Sequence, residues 1–188
     1  VARGRYEAGI SVVSAYPGTP STEITEAIAK YDEVYSEWAP NEKVAFEVAF
    51  GAALGGARAF CAMKHVGLNV AADPLYTASY IGTNGGMVCA VADDPGMHSS
   101  QNEQDSRHHA IASKVPMLEP ASSQECKDYA MLAFELSEKY DTPVLLRLST
   151  RISHSRSPVT IGSRNDVPLR GYQKDPQKHV MMPALARA

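Results

Sequence analysis

Residues Arg58 to Ala92 read RAFCAMKHVGLNVAADPLYTASYIGTNGGMVCAVA. This stretch begins and ends with short runs, Arg58–Met63 and Met87–Ala92, that are apolar nearly throughout, and a helical pattern runs from Leu68 to Ser79 between them. Apolar runs without polar alternation are typical of parallel strands that are covered on both faces. The stretch therefore predicts two parallel strands joined by a helix.

The same alternation of strands and helices continues on both sides of this stretch. Further strands are predicted at Ser11–Ala15, Val34–Trp38, Pro116–Leu118 and Pro143–Leu148. Further helices are predicted at Ala2–Ala8, Ser21–Lys30, Asn41–Gly55, Gln101–Ser113 and Ser122–Tyr140. Alternation of this kind predicts an α/β fold, a doubly wound and mainly parallel sheet with helices on both faces. Ligands of such folds bind beyond the carboxyl ends of the strands, so the loops at that edge are the first to consider.

Composition and charge disfavour two classes of partner. The chain has 188 residues and a formal net charge of −3, and its Lys and Arg residues are scattered, so it lacks the basic stripe that a nucleic acid backbone requires. Its hydrophobic runs are short, and none approaches the roughly 20 consecutive apolar residues of a membrane helix. We therefore expect neither nucleic acid nor a membrane as a partner.

The cysteines indicate a reducing compartment. Cys61, Cys89 and Cys126 are odd in number and far apart in the sequence, so they are predicted to be buried, reduced thiols. No CxxC pair is present, so any iron–sulfur cluster of the system is expected outside this chain. Since no signal peptide is recognisable, the predicted location is the cytoplasm.

The composition changes near Ser153 and predicts a domain boundary there. Residues 1–152 are expected to form one domain, whereas residues 153–188 are rich in Ser, Arg, Pro, Gly, Gln and Lys without any period. This second part is predicted to be a linker or the start of another domain. The chain begins at Val1, without Met and already inside a predicted helix, so we interpret it as a partial polypeptide.

The loop Tyr16–Thr22 follows the first strand and opens a helix. Pro17 restricts its backbone, Gly18 allows a ligand to approach closely, and Thr19 offers a hydroxyl near the unpaired amides of the helix start. The loop matches neither common nucleotide-binding pattern of glycines. An equally simple interpretation is a stable turn without any function.

Glu42 is the candidate catalytic carboxylate. It lies at the corner between the second strand and a helix that is almost wholly apolar, and that helix must therefore be buried. A Glu in a first helical turn is often only a favourable partner for the helix dipole. Its position at the ligand edge favours a functional role, whereas Glu47 in the same helix is interpreted as a structural or interface residue.

Two more polar stretches follow strands. Lys64, His65 and Asn69 combine a cation, an imidazole and an amide around a glycine, which suits recognition of a carboxylate substrate, although a lone loop His is more often solvated. Asp93–Asn102 is rich in carboxylates and His but has no firm metal-ligand spacing, so we predict no metal site in this chain. A solvated loop is the safer interpretation of that second stretch.

These stretches together resemble a known family. YPGTPST at 16–22, Glu42, AMKHVGLN at 62–69 and DDPGMHSSQNEQDSR at 93–107 are similar in order and spacing to the pyrimidine-binding domain of 2-oxoacid:ferredoxin oxidoreductases. Within that family the closest likeness is to the N-terminal domain of the alpha subunit of indolepyruvate:ferredoxin oxidoreductases. The likeness extends from about Val1 to Thr150.

The resemblance implies a thiamine pyrophosphate site that is shared with another domain. Glu42 would hydrogen-bond the aminopyrimidine ring of the cofactor and assist its activation, because a carboxylate removed from water shares a proton with the ring more easily. Pro17, Gly18 and Thr19 would contact the cofactor, and Thr19 could also contact the substrate carboxylate. The implied reaction is the oxidative decarboxylation of an arylpyruvate such as indolepyruvate, with coenzyme A accepting the acyl group and ferredoxin the electrons.

The resemblance also implies what lies elsewhere. Mg²⁺, the diphosphate site and the 4Fe-4S clusters would belong to a pyrophosphate-binding domain, an iron–sulfur segment and a beta- or gamma-type subunit, so the isolated chain would be inactive. Lys64, His65 and Asn69 would line the substrate pocket. Pyruvate-specific relatives have a hydroxyl-rich stretch at Lys64-His65-Val66, a difference that favours a larger acid than pyruvate.

Two alternatives remain open from the sequence. One is the pyrimidine-binding part of a non-oxidative thiamine-dependent decarboxylase of the sulfopyruvate or phosphonopyruvate type. The other is a non-catalytic assembly module in which Glu42 only begins a helix. Iron–sulfur cysteines in a neighbouring segment would favour the oxidoreductase over the decarboxylase, and a response to the cofactor would exclude the assembly module.

Overall fold

The computed structural model describes residues 1–187. The strands are β1 Val12–Ala15, β2 Tyr35–Trp38, β3 Ala59–Lys64, β4 Met87–Asp93, β5 Met117–Leu118 and β6 Val144–Ser149. The helices are α1 Ala2–Glu7, α2 Thr22–Ile28, α3 Glu42–Leu54, α4 His65–Val70, α5 Ala72–Ile81, α6 Arg107–Ser113, α7 Ser123–Tyr140, α8 Thr150–His154, α9 Pro176–His179 and α10 Pro183–Ala186. No helix within these residues is both long and apolar enough to cross a membrane.

The six strands form one parallel sheet in the order β2-β1-β3-β4-β6-β5. Side chains of α2 and α7 pack on one face of the sheet, and side chains of α3, α4, α5 and α6 pack on the other. This arrangement confirms the predicted fold class, a doubly wound α/β sheet with helices on both faces.

The strand β3 shows why the central runs are apolar throughout. Successive side chains of a strand point to opposite faces. Phe60 and Ala62 therefore belong to the core on the α2 and α7 side, whereas Cys61 and Met63 belong to the core on the α3 side. Because both faces are covered, neither set of positions admits a solvent-exposed polar residue.

The three cysteines are buried and free, as predicted. Cys61 on β3 lies opposite Cys89 on β4 in the register of the two strands. Burial, and secondarily a hydrogen bond with Cys89, raises the pKa of the Cys61 thiol well above its ordinary range. The Cys61 thiol is therefore a protonated core group.

The predicted helix Leu68–Ser79 is in fact two helices, α4 and α5, that meet at Ala71. Pro74 explains the break, because a proline has no N–H to continue the hydrogen-bond ladder from α4. It lies in the first turn of α5, where the amide would have no partner within the helix. The earlier helix thus begins at His65, directly after the last residue of β3.

The predicted helix Gln101–Ser113 begins only at Arg107. The preceding residues form a loop that closes on the end of β4, where the Asp93 carboxylate accepts a hydrogen bond from the Ser106 amide at 3.0 Å. The Asp93 side chain thus pairs with the Ser106 amide. In a helix that began at Gln101, that amide would instead bond to a backbone carbonyl of the helix.

The segment after α8 contains two short helices and no strand within the described residues. It contacts the sheet domain at several points. Arg164 donates to the carbonyl oxygens of Tyr6 and Ile10 at 3.1 and 2.8 Å, and the Lys178 ammonium lies 2.6 Å from the Asp141 carboxylate. At these points the predicted linker lies against the domain that precedes it.

Candidate functional site

The candidate residues lie at the carboxyl ends of β1, β2 and β3. In the sheet order, β1 has β2 on one side and β3 on the other. The connection from β1 to β2 through α2 lies on one face of the sheet, and the connection from β2 to β3 through α3 lies on the other. This is a topological switch point, where the following loops diverge and leave a crevice. The predicted ligand edge therefore coincides with the place at which doubly wound domains bind ligands.

Hydrogen bonds within the first loop leave one of its three aliphatic hydroxyls free. The Thr22 hydroxyl accepts the amide of Gly18 at 2.9 Å, and the Ser21 hydroxyl donates to the carbonyl oxygen of Gly18 at 2.7 Å. Thr19 and Pro17 are exposed, and no hydrogen bond within residues 1–187 engages the Thr19 hydroxyl. Thr19 is therefore the loop hydroxyl that remains available to a ligand.

Glu42 is the first residue of α3 and is half-buried. Asn41 caps the helix, since its side-chain oxygen accepts the amide of Val44 at 3.0 Å. Across the described part of the chain, no hydrogen bond or ion pair engages the Glu42 carboxylate. Glu47, by contrast, is exposed and lies 4.0 Å from Lys43. Glu42 is thus a free acceptor beside the positive end of a helix.

The side chain of Glu42 lies against α4. A Cβ atom added to Gly67 would be 2.6 Å from the nearer carboxylate oxygen of Glu42. Real Cβ atoms do not make contacts this short, so the position of Glu42 depends on the missing side chain at residue 67. The sequence contained this glycine within a recognised stretch but gave no sign of its partner.

Lys64 and His65 contact the long loop after β4. Both are buried; the Lys64 ammonium donates to the carbonyl oxygen of Ser99, and Nε2 of His65 lies 3.1 Å from the carbonyl oxygen of Asn102. A carbonyl can only accept, so Nε2 is the donor in this contact. Nδ1 is buried and has no partner among the residues described.

The three predicted pocket residues differ in exposure and in contacts. Lys64 is close to the first loop, since a Cβ atom on Gly18 would lie 3.4 Å from the Cβ atom of Lys64. His65 has no exposed surface at all, and Asn69 is exposed near the end of α4. The structure brings Gly18 and Lys64 together.

Asp94 is a buried anchor of the loop after β4, so the interpretation of this stretch as solvated was wrong for its two aspartates, although residues 95–99 are exposed. Its carboxylate accepts hydrogen bonds from the Ser100 hydroxyl, the Ser99 amide and the Thr150 hydroxyl at 2.6, 2.7 and 2.8 Å. The Ser100 hydroxyl most strongly, then the other two donors and the charge of Lys64, lower the pKa of Asp94 below its ordinary value, against the effect of burial.

The neighbouring Asp93 is also buried and anchors the other end of the same loop. It accepts from the Ser106 amide and from Nε of Arg147, the latter at 2.8 Å. The sequence did carry a signal, since two carboxylates directly after an apolar strand and before Pro-Gly are placed to hold a turn. Its meaning required Arg147 and Thr150, which lie more than 50 residues away in the chain.

Chemically, this edge offers one free carboxylate, one free hydroxyl and one buried ammonium. Within residues 1–187 no group of three or more His, Cys, Asp or Glu side chains is arranged to hold a metal ion. The donor set suits a polar organic ligand that is held by hydrogen bonds. The fold and this edge together define a doubly wound ligand-binding domain with its site at the topological switch point.

The chain belongs to the family described as pyruvate flavodoxin/ferredoxin oxidoreductase, thiamine diphosphate-binding. The family model matches residues 3–187. Membership of this family agrees with the resemblance inferred from the four sequence stretches.

Curated relatives are similar along the whole chain. The indolepyruvate oxidoreductase subunit IorA of Archaeoglobus fulgidus is 51% identical and aligns with 100% of this chain and 32% of its own length. IorA of Methanothermobacter thermautotrophicus is 52% identical, with 98% and 31% coverage. The 2-oxoglutarate synthase subunit KorA of the same organism is 29% identical over 87% of this chain. The chain thus spans about a third of the length of the IorA relatives.

A solved structure has the same fold. The 2-oxoglutarate:ferredoxin oxidoreductase from Magnetococcus marinus, with 2-oxoglutarate, coenzyme A and succinyl-CoA bound, matches with a TM-score of 0.74 at 22% identity. The match covers 90% of this chain and 33% of the other.

Proposed function

We propose that this chain is the pyrimidine-binding part of a thiamine-diphosphate-dependent 2-oxoacid:ferredoxin oxidoreductase. The reaction is the oxidative decarboxylation of arylpyruvates such as indolepyruvate to acyl-CoA, with reduction of ferredoxin. The observation that carries the proposal is the free, half-buried carboxylate of Glu42 at the switch point of a domain from a thiamine-diphosphate-binding family. The names of the IorA relatives support the substrate class.

The residues at the edge fit the aminopyrimidine of the cofactor. A ring nitrogen that carries or shares a proton needs a carboxylate acceptor, and Glu42 has no competing partner among residues 1–187. Beside Glu42, Gly67 has no side chain, so a ligand can approach its backbone. In the first loop, Gly18 also lacks a side chain, and the hydroxyl of Thr19 is free. When bound, the cofactor supplies a nucleophilic carbon and an electron sink for decarboxylation.

Each residue has a distinct role in this proposal. Glu42 holds the proton at the ring nitrogen and thereby favours the form of the ring that acts as a base. Pro17 and Gly18 shape the wall along the ring, and Thr19 donates to the cofactor or to the substrate carboxylate. The N-terminus of α3 orients Glu42, because Asn41 fixes the first turn from which its side chain leaves.

Lys64, His65 and Asn69 border the substrate pocket in this proposal. Lys64 brings a positive charge next to the loop of Gly18, which suits a 2-oxo acid. His65 acts through Asn102 by fixing the loop after β4, and Asn69 is exposed near the end of α4, where it is available to a ligand.

The proposed assembly is larger than this chain and cytoplasmic. Mg²⁺, the diphosphate site and the 4Fe-4S clusters lie in a pyrophosphate-binding domain, an iron–sulfur segment and a beta- or gamma-type subunit, with coenzyme A and ferredoxin as reactants. Neither the non-oxidative decarboxylase nor the assembly module is favoured by the relatives.

The test is Glu42→Gln in the complete, reconstituted enzyme. We expect indolepyruvate-dependent reduction of viologen to fall at least about 100-fold, because an amide cannot hold the ring proton, while pyruvate remains a poor substrate. Glu47→Gln, an exposed change in the same helix, is the matched control and keeps its activity. Near-normal turnover of an assembled Glu42→Gln enzyme would refute the proposal.

A further inference from the structure

We propose that Gly67 is a positioning residue whose missing side chain fixes where the Glu42 carboxylate lies. This inference rests on the proposed function of Glu42. Its basis is that the three atoms nearest to a Cβ at residue 67 all belong to one side chain: Glu42 Cγ at 2.5 Å, Oε1 at 2.6 Å and Cδ at 2.8 Å. Every one of these distances is shorter than real contacts allow.

The crowding involves the stem of Glu42 as well as its tip. Because Cγ is itself 2.5 Å from the added atom, a rotation of the carboxylate alone would not relieve the conflict. The whole side chain must turn about its first torsion angle, which carries the carboxylate away from the edge. Even alanine at residue 67 therefore displaces Glu42.

The backbone of α4 cannot readily move to make room. Leu68 is fully buried in the core, and Lys64 and His65 are tied to the carbonyl oxygens of Ser99 and Asn102. The loop that carries these carbonyls is in turn held by Asp94. The helix α4 is thus a fixed surface, and Glu42 is the part that yields.

Other helical glycines of the chain have a different role. A Cβ atom on Gly51 in α3 would meet nothing within 4 Å. Gly51→Ala is therefore the matched control, since it also replaces a helical glycine without touching Glu42. Any effect that is specific to Gly67→Ala comes from its contact rather than from helix propensity.

The first experiment is a stability cycle on this chain and needs no cofactor. We expect Gly67→Ala to give a Tm about 3 °C lower than Gly51→Ala gives when Glu42 is present, because the Glu42 side chain is forced out of its observed rotamer. In the Glu42→Ala background the crowding atoms are gone, so the same change leaves Tm unchanged or raises it, as Gly51→Ala does. An equal loss in both backgrounds would overturn the inference.

The second experiment is a kinetic cycle on the complete enzyme. We expect Gly67→Ala to lower kcat about 100-fold with little change in KM, because a displaced catalytic group loses its geometry. In the Glu42→Gln background the further loss should be less than about threefold, since Gly67 acts only through Glu42. An unchanged kcat, or an equal loss in both backgrounds, would overturn it.

The two cycles separate the two hypotheses. If Glu42→Gln keeps its activity, the proposed function fails, whereas the stability cycle still decides whether Gly67 fixes Glu42. If Glu42→Gln is inactive and Gly67→Ala is fully active, only the positioning role fails.

Discussion

The guanidinium carbon of Arg5 lies 3.2 Å from the centroid of the Phe60 ring. Arg5 in α1 is completely buried, and none of its three side-chain nitrogens has a hydrogen-bond partner within residues 1–187. Burial lowers the pKa of Arg5 well below its ordinary range, although the neighbouring thiols oppose this shift. The stacking on Phe60 contributes about 2 kcal/mol, whereas removing an unpaired cation from water costs several kcal/mol.

Replacing Arg5 with methionine should therefore stabilise the protein. We expect Arg5→Met to raise the free energy of unfolding by about 1–4 kcal/mol, because a chain of similar shape fills the site without an unpaired charge. Urea denaturation measures the change. Arg156→Met, at an exposed arginine, is the control and should change it by less than about 0.5 kcal/mol. A clear loss of stability in Arg5→Met would mean that the guanidinium has a partner in solution.

Asp94 should make the free energy of unfolding decrease at acidic pH. Its pKa in the folded protein is below the ordinary value of 3.8, so between these two pKa values the unfolded state binds more protons. Its contribution is complete above the unfolded pKa and is lost as pH falls below about 4 toward the folded pKa. We expect Asp94→Asn to lower the free energy of unfolding by about 2 kcal/mol at pH 7 and to flatten its dependence on pH below 4.

Denaturation in urea at a series of pH values from 2 to 7 is the measurement for Asp94. Asp32→Asn, at an exposed aspartate, is the matched control and should leave the profile unchanged. If Asp94→Asn keeps the acid dependence of the unaltered protein, another carboxylate is responsible and the anchoring role of Asp94 is wrong.

The segment after residue 153 should contribute to the stability of the domain before it. Arg164 donates to the backbone oxygens of Tyr6 and Ile10, so Arg164→Ala leaves both acceptors without this partner. We expect a loss of about 1–3 kcal/mol in the free energy of unfolding. Leu169→Ala, at a residue that is 67% exposed, is the control. No effect of Arg164→Ala would support an independent linker from residue 153.

The fold could be predicted because its signal is local. Runs such as Met87–Ala92 are apolar at every position, and that pattern is typical of a strand covered on both faces. The predicted strands fall within a residue or two of the observed ones, and the helix ends that were wrong involve Pro74 and Ser106. At Ser106 the boundary depends on a hydrogen bond to a distant side chain, which periodicity does not report.

The candidate site could be predicted only in part. Glu42 and Thr19 were found because each follows a strand at the edge where parallel strands end, and both have groups free of partners in the described structure. The roles of Lys64 and His65 remain predictions, since both side chains turn toward the backbone of the loop after β4. Nothing in their own stretch indicates that direction.

The sequence by itself determined the class of fold, the edge that carries the site and the carboxylate proposed for catalysis. The fold class and the edge follow from the period of apolar residues and from the order of strands and loops, which are properties of neighbouring residues, whereas the catalytic role of Glu42 is what the family resemblance implies. Only the tertiary structure decided that Gly67 faces Glu42 and that Arg147 meets Asp93. Such contacts join residues 25 or more positions apart. They depend on how each helix packs on the sheet and how each strand pairs within it, which no local pattern encodes.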